Sequence, residues 1–337
     1  SHIVNGKAMK IGVFCSGGDA PGMNACVRAV VRSASRQGHE VIGIMRGYQG
    51  LINEEFYIDH DGLSHLTSTR VNTWASHGGA HLRSSRSEEF RSLEGQSKAA
   101  EILQKHNIEA LIPIGGDGTF NGAVALGKVW NGQIVGCPGT IDNDLLGTDY
   151  TIGFSTAVQT AVEAVDKIRD TASSHDRMFL VEVMGRHCGY IALYTALAAG
   201  ADVVAIPETD TNFEEIIKYL TKLKQRGRMM AIMVVAEGDE KGGVDEINKQ
   251  LVEHGCPFST RTIVLGHLQR GGVPTPEDRR RATQMGCGAV AAILAGKTGV
   301  MVGTQGHRCV SVKFEDTFAS HRPVSPELIE MLSEIAS

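Results

Sequence analysis

The sequence lacks paired cysteines, long hydrophobic runs and a strong excess of one charge. Its seven cysteines are scattered and form no Cys-x-x-Cys pair, so we expect neither a disulfide framework nor a zinc site, and a reducing cytoplasm fits better. The longest apolar region, Tyr190 to Pro207, is interrupted by Gly200 and Asp202 and is too short to span a bilayer. We therefore expect a cytoplasmic protein with no signal peptide, no membrane partner and, at a net charge of −5, no nucleic-acid partner.

The composition indicates a globular chain. Of its 337 residues, 42% are hydrophobic and 21% are charged, and this length suffices for two domains that each bury a core. The 40 glycines exceed the average share of about 7%, and many cluster at the ends of apolar runs, which indicates functional loops. Residues 1–8, which precede Met9, are expected to be a vector-derived remnant.

Short apolar runs alternate with longer amphipathic ones, and this alternation predicts an α/β fold with mostly parallel sheets covered by helices. The predicted strands are Lys10–Cys15, Val41–Met45, Ala110–Ile114, Ile134–Cys137, Met178–Val183, Asp202–Ile206, Met229–Ala236 and Arg308–Phe314. The predicted helices are Gly22–Gln37, Gln96–His106, Phe120–Val129, Thr156–Thr171, Arg186–Ala199, Phe213–Gln225 and Glu277–Ala295. Ligands of such folds bind beyond the carboxyl ends of the strands.

The pattern changes near Thr151 and again near His267, where it resembles a return to the first domain. The predicted first domain therefore combines residues 9–150 with residues 267–320, and the second contains residues 151–266. Residues 321–337 are predicted to form a C-terminal helix.

Two glycine-rich segments follow predicted strands and open predicted helices. We call Ser16–Asn24 the first glycine loop and Gly115–Thr119 the second. Their backbone N–H groups could approach a phosphate at a helix N-terminus, and Asp117 could hold Mg²⁺ on a nucleotide's phosphates. Two alternatives stay open: a glycine-rich turn without a ligand, and an Asp that only caps a helix.

The segment Pro138–Asp144 carries two carboxylates, Asp142 and Asp144, at the end of another strand. Residues two apart in an extended segment point to the same side, so one carboxylate could accept a proton while the other orients groups or approaches the metal. The alternative is an Asx-rich turn with capping carboxylates.

Basic residues form a third group at glycine-flanked strand ends. It consists of Arg177, Arg186, Arg261, His267 and Arg270. Such residues suit bidentate recognition of phosphate, although a single arginine is more often a solvated surface residue; we keep the surface interpretation for Arg279–Arg281. Glu237 could accept hydrogen bonds from sugar hydroxyls or be an exposed acid.

Taken in order, these motifs resemble those of the ATP-dependent 6-phosphofructokinases of the bacterial, single-unit kind. The similarity runs from about Lys10 to Phe314 and rests on Ser-Gly-Gly-Asp-Ala-Pro-Gly-Met-Asn, Gly-Gly-Asp-Gly-Thr, Pro-Gly-Thr-Ile-Asp-Asn-Asp, Met-Gly-Arg and Gly-His-Leu-Gln-Arg-Gly-Gly. The resemblance implies transfer of the ATP γ-phosphoryl group to the 1-hydroxyl of fructose 6-phosphate, with Mg²⁺ as cofactor. It also implies two Rossmann-like domains with the active site in the cleft between them, the first domain binding ATP and the second the sugar phosphate.

The resemblance also assigns roles to residues. Asp142 is implied as the base, with Gly18, Arg86, Thr140, Asp144 and Arg186 completing the catalytic set. The implied ATP site is Gly18, Arg86, Ser87, Gly116, Asp117, Gly118 and Thr119, with Asp117 as the Mg²⁺ residue. The implied sugar site includes Thr140, Asp142, Asp144, Met184, Gly185, Arg186 and Glu237, and its 6-phosphate clamp is Arg177, Arg261, His267 and Arg270.

Further implications concern partners and the phosphoryl donor. Arg177 and Arg261 would come from a neighbouring subunit, so a homotetramer with shared active sites is implied. Pyrophosphate users carry Asp at the place of Gly118 and Lys at the place of Gly139, so the two glycines imply ATP. An effector site for ADP or phosphoenolpyruvate is implied at Arg28, Arg32, Arg169, Asp202, Arg226 and Arg228.

Three rival functions remain at this stage. One is a pyrophosphate-dependent phosphofructokinase, and the second is a catalytically silent sugar-phosphate sensor with the same fold. The third is a lipid or NAD kinase, since such enzymes share Gly-Gly-Asp-Gly-Thr but are not expected to carry the set Arg177, Arg261 and His267.

Overall fold

The computed structural model describes residues 7–171, 176–239 and 241–335, which divide into two compact units. Unit 1 is assembled from Ser1–Thr140, Leu145–Ser155 and Arg270–Ser320, and unit 2 from Ile141–Asp144, Thr156–Gln269 and His321–Ser337. Most of the predicted vector-derived remnant and the last two residues of the predicted C-terminal helix lie outside the described residues.

The strands are β1 (Lys10–Cys15), β2 (Glu40–Gly43), β3 (Ala110–Gly115), β4 (Gln133–Thr140), β5 (Ile152–Gly153), β6 (Arg177–Val183), β7 (Val203–Ala205), β8 (Met230–Ala236), β9 (Ser259–Val264), β10 (Val300–Gln305) and β11 (Arg308–Lys313). The helices are α1 (Met23–Arg36), α2 (Gly47–Ile52), α3 (Leu93–Lys105), α4 (Asp117–Gly127), α5 (Phe154–Thr171), α6 (Tyr190–Ala199), α7 (Phe213–Gln225), α8 (Val244–Glu253), α9 (Pro276–Leu294), α10 (Phe314–Thr317) and α11 (Pro326–Ile335).

Unit 1 is built on a sheet of order β11-β10-β4-β3-β1-β2, with β5 beside β4. All of these pairs are parallel except β10 with β11. Every residue of β3 is buried, as is typical of parallel strands that are covered on both faces. Because β1, β3 and β4 are parallel neighbours, their carboxyl ends lie side by side at one edge of the sheet.

Unit 2 is built on a parallel sheet of order β7-β8-β6-β9. Its core combines residues of β6 and β8, such as Leu180 and Met233, with Leu220 and Leu223 of α7. β9 lies at the edge of the sheet and is less buried than β6 and β8, since each of its residues is exposed or only partly buried. In the part of the chain that the structure describes, no helix is both long and apolar enough to cross a lipid bilayer.

The predicted α/β class with mostly parallel sheets is confirmed, and most elements lie where the pattern placed them. The helix after β6 was predicted to begin at Arg186, but it begins at Tyr190. Gly185 (φ 141°) and Arg186 (φ 56°) have left-handed backbones, which prevent them from joining a right-handed helix. No prediction from the sequence covered β9, β10 and α8.

The division into units differs in detail from the predicted domain boundaries. Residues Ile141–Asp144 belong to unit 2, although they lie inside the predicted first domain, and the later crossings fall after Ser155 and after Gln269. α11 belongs to unit 2 together with the rest of residues 321–335. The assignment of ATP to one domain and sugar phosphate to the other stays a prediction.

Candidate active site

Three loops of unit 1 meet at the carboxyl edge of its sheet. The first glycine loop follows β1, the second follows β3, and Thr140 ends β4. The Ser16 N–H donates to the Ile114 carbonyl at 2.9 Å, which joins the first glycine loop to the end of β3, and a Cβ on Gly116 would lie 3.6 Å from the Thr140 Cβ. The structure thus brings together Gly18, Gly116, Asp117 and Thr140 as the sequence predicted.

The second glycine loop is fixed at the start of α4. Asp117 accepts a hydrogen bond from the Gly118 N–H at 2.7 Å. It is the first residue of α4, whose N-cap is Gly116, so Asp117 is not the N-cap that was the alternative to metal binding. Thr119 is buried, and its carbonyl accepts a hydrogen bond of 2.6 Å from the Tyr48 hydroxyl. The Tyr48 ring stacks on Phe90, with centroids 3.9 Å apart. Sequence analysis missed Tyr48 because no local motif marks it.

Among the described residues, no cluster of three or more His, Cys, Asp or Glu side chains could hold a metal ion by itself. Mg²⁺ bound with a nucleotide needs only one or two carboxylates, because phosphate oxygens and water supply the other ligands. Asp117, half-buried at the start of α4 and next to the open backbone of Gly118, fits that requirement.

Arg86 and Ser87 end a segment, His77–Ser87, that we call the Arg86 segment. Arg86 is exposed. The Ser87 hydroxyl donates to Gln49 Oε1 at 2.7 Å and accepts the Phe90 N–H at 3.1 Å. Ser87, predicted as an ATP contact, is therefore engaged in holding its own loop.

Arg270 lies in unit 1, and its guanidinium group packs directly on Gly18. A Cβ on Gly18 would overlap the Arg270 Nη1 atom, so only glycine allows this approach. Arg270 also ends the short 3₁₀ helix Gly266–Arg270 that carries His267. Its predicted place in a clamp with Arg177, Arg261 and His267 stays a prediction.

In unit 2, Asp142 and Asp144 flank Asn143, which has a left-handed backbone with φ 56°. The backbone is therefore not extended at Asn143, and the prediction that both carboxylates project from an extended segment is wrong. Asp142 is only 5% exposed and Asn143 is fully buried, whereas Asp144 is half-buried. The two carboxylates consequently have different environments.

The segment Met184–Gly189, which we call the Arg186 turn, joins β6 to α6. Three side chains hold its backbone in place. The Arg186 N–H donates to Glu237 Oε1 at 2.8 Å, the Met184 N–H to Gln269 Oε1 at 3.4 Å, and the Gly189 N–H to the Glu208 carboxylate at 2.9 Å. Glu237 is thus a partner of the turn rather than an isolated surface acid. Gln269 and Glu208 were missed, although Gln269 lies inside the motif Gly266–Gly272.

The Arg186 turn also lies close to the two aspartates. Burial, together with the nearby carboxylates of Glu208, Asp144 and Asp142, raises the pKa of the Cys188 thiol to about 12. Cys188 therefore stays a neutral thiol at physiological pH and is no nucleophile. Because the charges of Asp142 and Asp144 act on Cys188, the two aspartates lie near the turn that carries Arg186.

Arg177 and Arg261 lie at the other end of the same sheet. Arg177 begins β6 and the Arg186 turn follows the end of that strand, so the two are separated by about 20 Å along six residue steps. Arg261 pairs with Phe179 in the parallel register, is exposed, and its Nη1 donates to the Ser259 hydroxyl and the Thr260 carbonyl. Within one copy, the structure does not bring Arg177 into the neighbourhood of Arg186, Glu237 and the exposed His267.

The predicted effector residues separate into two groups. Arg169, Asp202 and Arg228 line a cavity of about 420 Å³ in unit 2, where Arg228 forms an ion pair of 2.7 Å with Asp202. Arg28 and Arg32 belong to α1 of unit 1 and both bond to Asn72. Arg226 directly follows α7 and does not line the cavity.

The predicted surface position of Arg281 is wrong, since its side chain is only 12% exposed and lies over the Tyr150 ring.

Comparison with known proteins agrees with this arrangement. An ATP-dependent 6-phosphofructokinase 1 from Thermus thermophilus is 51% identical over 294 residues, which cover 87% of this chain and 89% of that protein. An ATP-dependent 6-phosphofructokinase from Shouchella clausii is 45% identical over 329 residues, which cover 97% and 99%.

Solved structures show the same likeness. Phosphofructokinase from Pichia pastoris in the T-state has a TM-score of 0.83 at 33% identity, and the match covers 98% of this chain and 39% of that one. A pyrophosphate-dependent phosphofructokinase from Marinobacter aquaeolei, with a TM-score of 0.81 at 21% identity over 98% and 92% of the chains, shares the fold. The family model described as Phosphofructokinase matches residues 10–293, and the chain belongs to the phosphofructokinase family.

Proposed function

We propose that this chain is an ATP-dependent 6-phosphofructokinase (EC 2.7.1.11), a glycolytic kinase. It transfers the γ-phosphoryl group of ATP to the 1-hydroxyl of D-fructose 6-phosphate and gives fructose 1,6-bisphosphate and ADP. The observation that carries this proposal is the meeting of two glycine loops, Asp117 and Thr140 at one sheet edge. That arrangement offers backbone donors and one carboxylate to a nucleotide's phosphates, and relatives at 45–51% identity bear this activity in their names.

Each side of the reaction has its own residues. On the ATP side, Gly18 and Arg86 contact the transferred phosphoryl group, and Gly116, Gly118 and Thr119 lie along the nucleotide. On the sugar side, Asp142 accepts the proton of the attacking 1-hydroxyl, while Thr140, Asp144 and Arg186 orient and neutralise the reacting groups. Met184, Gly185 and Glu237 receive the sugar ring. Phosphoryl transfer needs mainly positioning and charge stabilisation, which these residue types supply.

Asp117 is the proposed residue for Mg²⁺, which neutralises phosphate charge when it is bound. Arg270 takes a second role in this proposal. Its guanidinium group lies on Gly18, and a cation there stabilises the negative charge of the phosphoryl group that the first glycine loop receives.

The choice of ATP over pyrophosphate rests on Gly118. No atom lies within 4 Å of a Cβ built on Gly118, and this residue is exposed, so the backbone here leaves room for a nucleotide's α-phosphate. An aspartate at this position would set a negative charge against that phosphate. Pyrophosphate-dependent transfer is therefore the second candidate and not the first.

The sugar site is proposed to be shared between copies in a homotetramer. Arg177 lies about 20 Å from the Arg186 turn, so it can serve a sugar phosphate only at a site completed by another copy. The exposed edge strand β9, which carries Arg261, is accompanied by the exposed apolar residues Val264 (58%) and Leu268 (70%). Uncovered apolar side chains beside a free sheet edge are typical of surfaces that a partner covers.

An anionic effector, ADP or phosphoenolpyruvate, is proposed for the cavity lined by Arg169 and Arg228, and Arg28 and Arg32 of a neighbouring copy would complete it. The cytoplasm is the proposed location, because the cysteines that can be described are free thiols.

Steady-state kinetics with fructose 6-phosphate and competing donors tests the proposed function. We expect Mg²⁺-dependent turnover with ATP, formation of fructose 1,6-bisphosphate, and little turnover with pyrophosphate. Efficient pyrophosphate use with inactive ATP would favour the second candidate. Binding of fructose 6-phosphate without turnover with either donor would identify a sensor, and phosphorylation of NAD or of a lipid in place of the sugar would reject the sugar site.

A further inference from the structure

Asn24 is a buried polar residue to which the proposed mechanism gives no role. It lies in the first turn of α1, at the end of the first glycine loop, and only 1% of it is exposed. Its Nδ2 group donates to the carbonyls of His77, Gly78 and Gly79 at 3.0, 3.2 and 3.1 Å. Its Oδ1 atom accepts the His81 N–H at 2.8 Å.

These four partners all belong to the Arg86 segment. Asn24 therefore connects the first glycine loop, which contains Gly18, to the segment that presents Arg86. Arg86 follows His81 by only five residues. The residue after His81, Leu82, is fully buried and its carbonyl accepts the Arg46 N–H at 2.8 Å, so Asn24 and Arg46 together hold the part of the segment that leads to Arg86.

The chemistry of this contact requires an amide. Asparagine offers donors and an acceptor on one short side chain, and both are used here against backbone groups. An aspartate at this position would face three carbonyl oxygens without a donor, and a serine is too short to reach all four groups. Partly buried carbonyls that lose their partners carry a penalty, and the segment can reduce this penalty by moving toward water.

We propose that Asn24 is a positioning residue, which sets the distance between Arg86 and the first glycine loop so that both can contact the transferred phosphoryl group. This inference rests on the proposed function of Arg86. The consequence is specific, since a displacement of about 1 Å at a reacting group can cost about 10²-fold in rate. The four hydrogen bonds that Asn24 makes with the Arg86 segment all lie within unit 1.

A double-mutant cycle with Asn24→Ser and Arg86→Ala tests the inference. Asn24→Ser should lower kcat by about 10- to 100-fold and leave the KM for fructose 6-phosphate within about twofold of wild type. In the Arg86→Ala background, the same change should lower kcat by less than about threefold, because a residue that acts through Arg86 has nothing left to position. Additive effects would overturn the inference.

Gln133→Ser is the matched control. The Gln133 amide donates to the Ile293 and Lys297 carbonyls at 2.8 and 2.9 Å, at the beginning of β4 and therefore at the opposite edge of the sheet from the glycine loops. Gln133→Ser should lower the melting temperature as Asn24→Ser does, but it should leave kcat unchanged. A comparable loss of kcat in both variants would mean that Asn24 acts only through stability.

Two further results distinguish a failure of this inference from a failure of the proposed function. If Arg86→Ala is itself near normal, the proposed role of Arg86 fails, whatever Asn24 does. If Arg86→Ala is damaged while Asn24→Ser folds and keeps its kcat, the inference fails and the proposed function stands. Should Asn24→Ser not fold, hydrogen exchange of the wild-type His81 amide decides, because exchange as fast as in an unstructured loop would contradict the contact with Asn24.

Discussion

The surroundings of Asp142 differ from those of an ordinary surface acid. It is 5% exposed, it follows the buried Ile141, and its charge acts on Cys188 of the Arg186 turn. A buried carboxylate beside a loop that carries arginine suits a group that must hold a proton briefly during transfer.

We therefore expect Asp142→Asn to lower kcat by about 10²-fold or more, as the loss of a general base would. The KM for fructose 6-phosphate should change little, because the amide keeps the shape of the side chain. Asp245→Asn is the control, since Asp245 is an exposed acid in the first turn of α8. A kcat within threefold of wild type, roughly the scatter of such comparisons, would remove Asp142 from the proposed role.

Gly118 provides the sharpest test of donor choice. Gly118→Asp should raise the KM for ATP at least about fivefold, because a like charge about 4 Å from the α-phosphate costs about 1 kcal/mol even in water. Gly127→Asp is the matched control, since Gly127 ends the same helix and its Cβ would also meet open space. Equal effects of the two changes on the KM for ATP would contradict a contact between Gly118 and the nucleotide.

A second change, Gly139→Lys, would introduce the lysine that pyrophosphate users carry at this place, but it is unsuitable for testing donor choice. A Cβ on Gly139 would lie 2.8 Å from Ile114 Cγ2 and 3.2 Å from Met23 Cε. A lysine would therefore push apart β3, β4 and α1 before it could affect a phosphate. The sequence shows only that a glycine stands where pyrophosphate users carry lysine, and the packing around Gly139 could not be read from it.

At the scale of helices and strands, the sequence predicted what depends on local patterns. Phe213–Gln225 was predicted at its observed bounds because its apolar residues recur at helical spacing. β9 was missed because its residues, Ser-Thr-Arg-Thr-Ile-Val, contain no buried run. Its place in the sheet comes from pairing with β6, which no local pattern encodes.

The Arg86 segment should be sensitive to acid. His77 Nδ1 and His81 Nε2 are 2.8 Å apart, which requires one nitrogen to accept a hydrogen bond. Burial, with the charges of His77 and Arg70, lowers the pKa of His81 below 6.5. The folded state therefore binds this proton less tightly than the unfolded chain, so the contribution of His81 to stability is fully present above pH 6.5 and is lost as the pH falls toward the lowered pKa.

We expect the free energy of unfolding to decrease between about pH 7 and pH 5, and His81→Phe to reduce that decrease by removing the titrating group. His60→Gln serves as the comparison, since the His60 side chain is 81% exposed. Chemical unfolding at several pH values measures both. An unchanged pH slope in His81→Phe would show that the pair of imidazoles does not govern the acid response.

At the scale of the whole molecule, the motifs predicted the family, which the comparisons confirm, but not which residues a single copy can bring together. Arg270 ends the short 3₁₀ helix Gly266–Arg270 that carries His267, yet the chain crosses to unit 1 at Arg270 and its guanidinium group lies on Gly18. Arg177 and Arg186 share one strand and its turn, yet the length of β6 separates them. Which residues lie together in one copy depends on where the chain crosses between the units and on how long the strands are.

The proposal that copies share the sugar site leads to a test with mixed oligomers. Asp142→Asn and Arg261→Ala should each be impaired alone, the second mainly through a higher KM for fructose 6-phosphate, since one charge-assisted contact is worth about 1.5–3 kcal/mol. When both chains are co-expressed and assemble at random, a site formed by Asp142 of one copy and Arg261 of another is intact in about a quarter of cases. Activity at low fructose 6-phosphate should therefore recover toward about a quarter of the wild-type rate.

A suitable control for this experiment combines Asp142→Asn with a chain that carries both changes, Asp142→Asn and Arg261→Ala, because no pairing of these copies restores a complete site. If the two single variants recover no activity although mass measurement shows mixed tetramers, Arg261 serves the site of its own copy. That result would require Arg261 to reach the Arg186 turn within one chain, which the parallel register of β9 with β6 makes difficult, since it places Arg261 beside Phe179. Recovery in the mixture, with none in the control, follows directly if β9 supplies Arg261 to a neighbouring subunit.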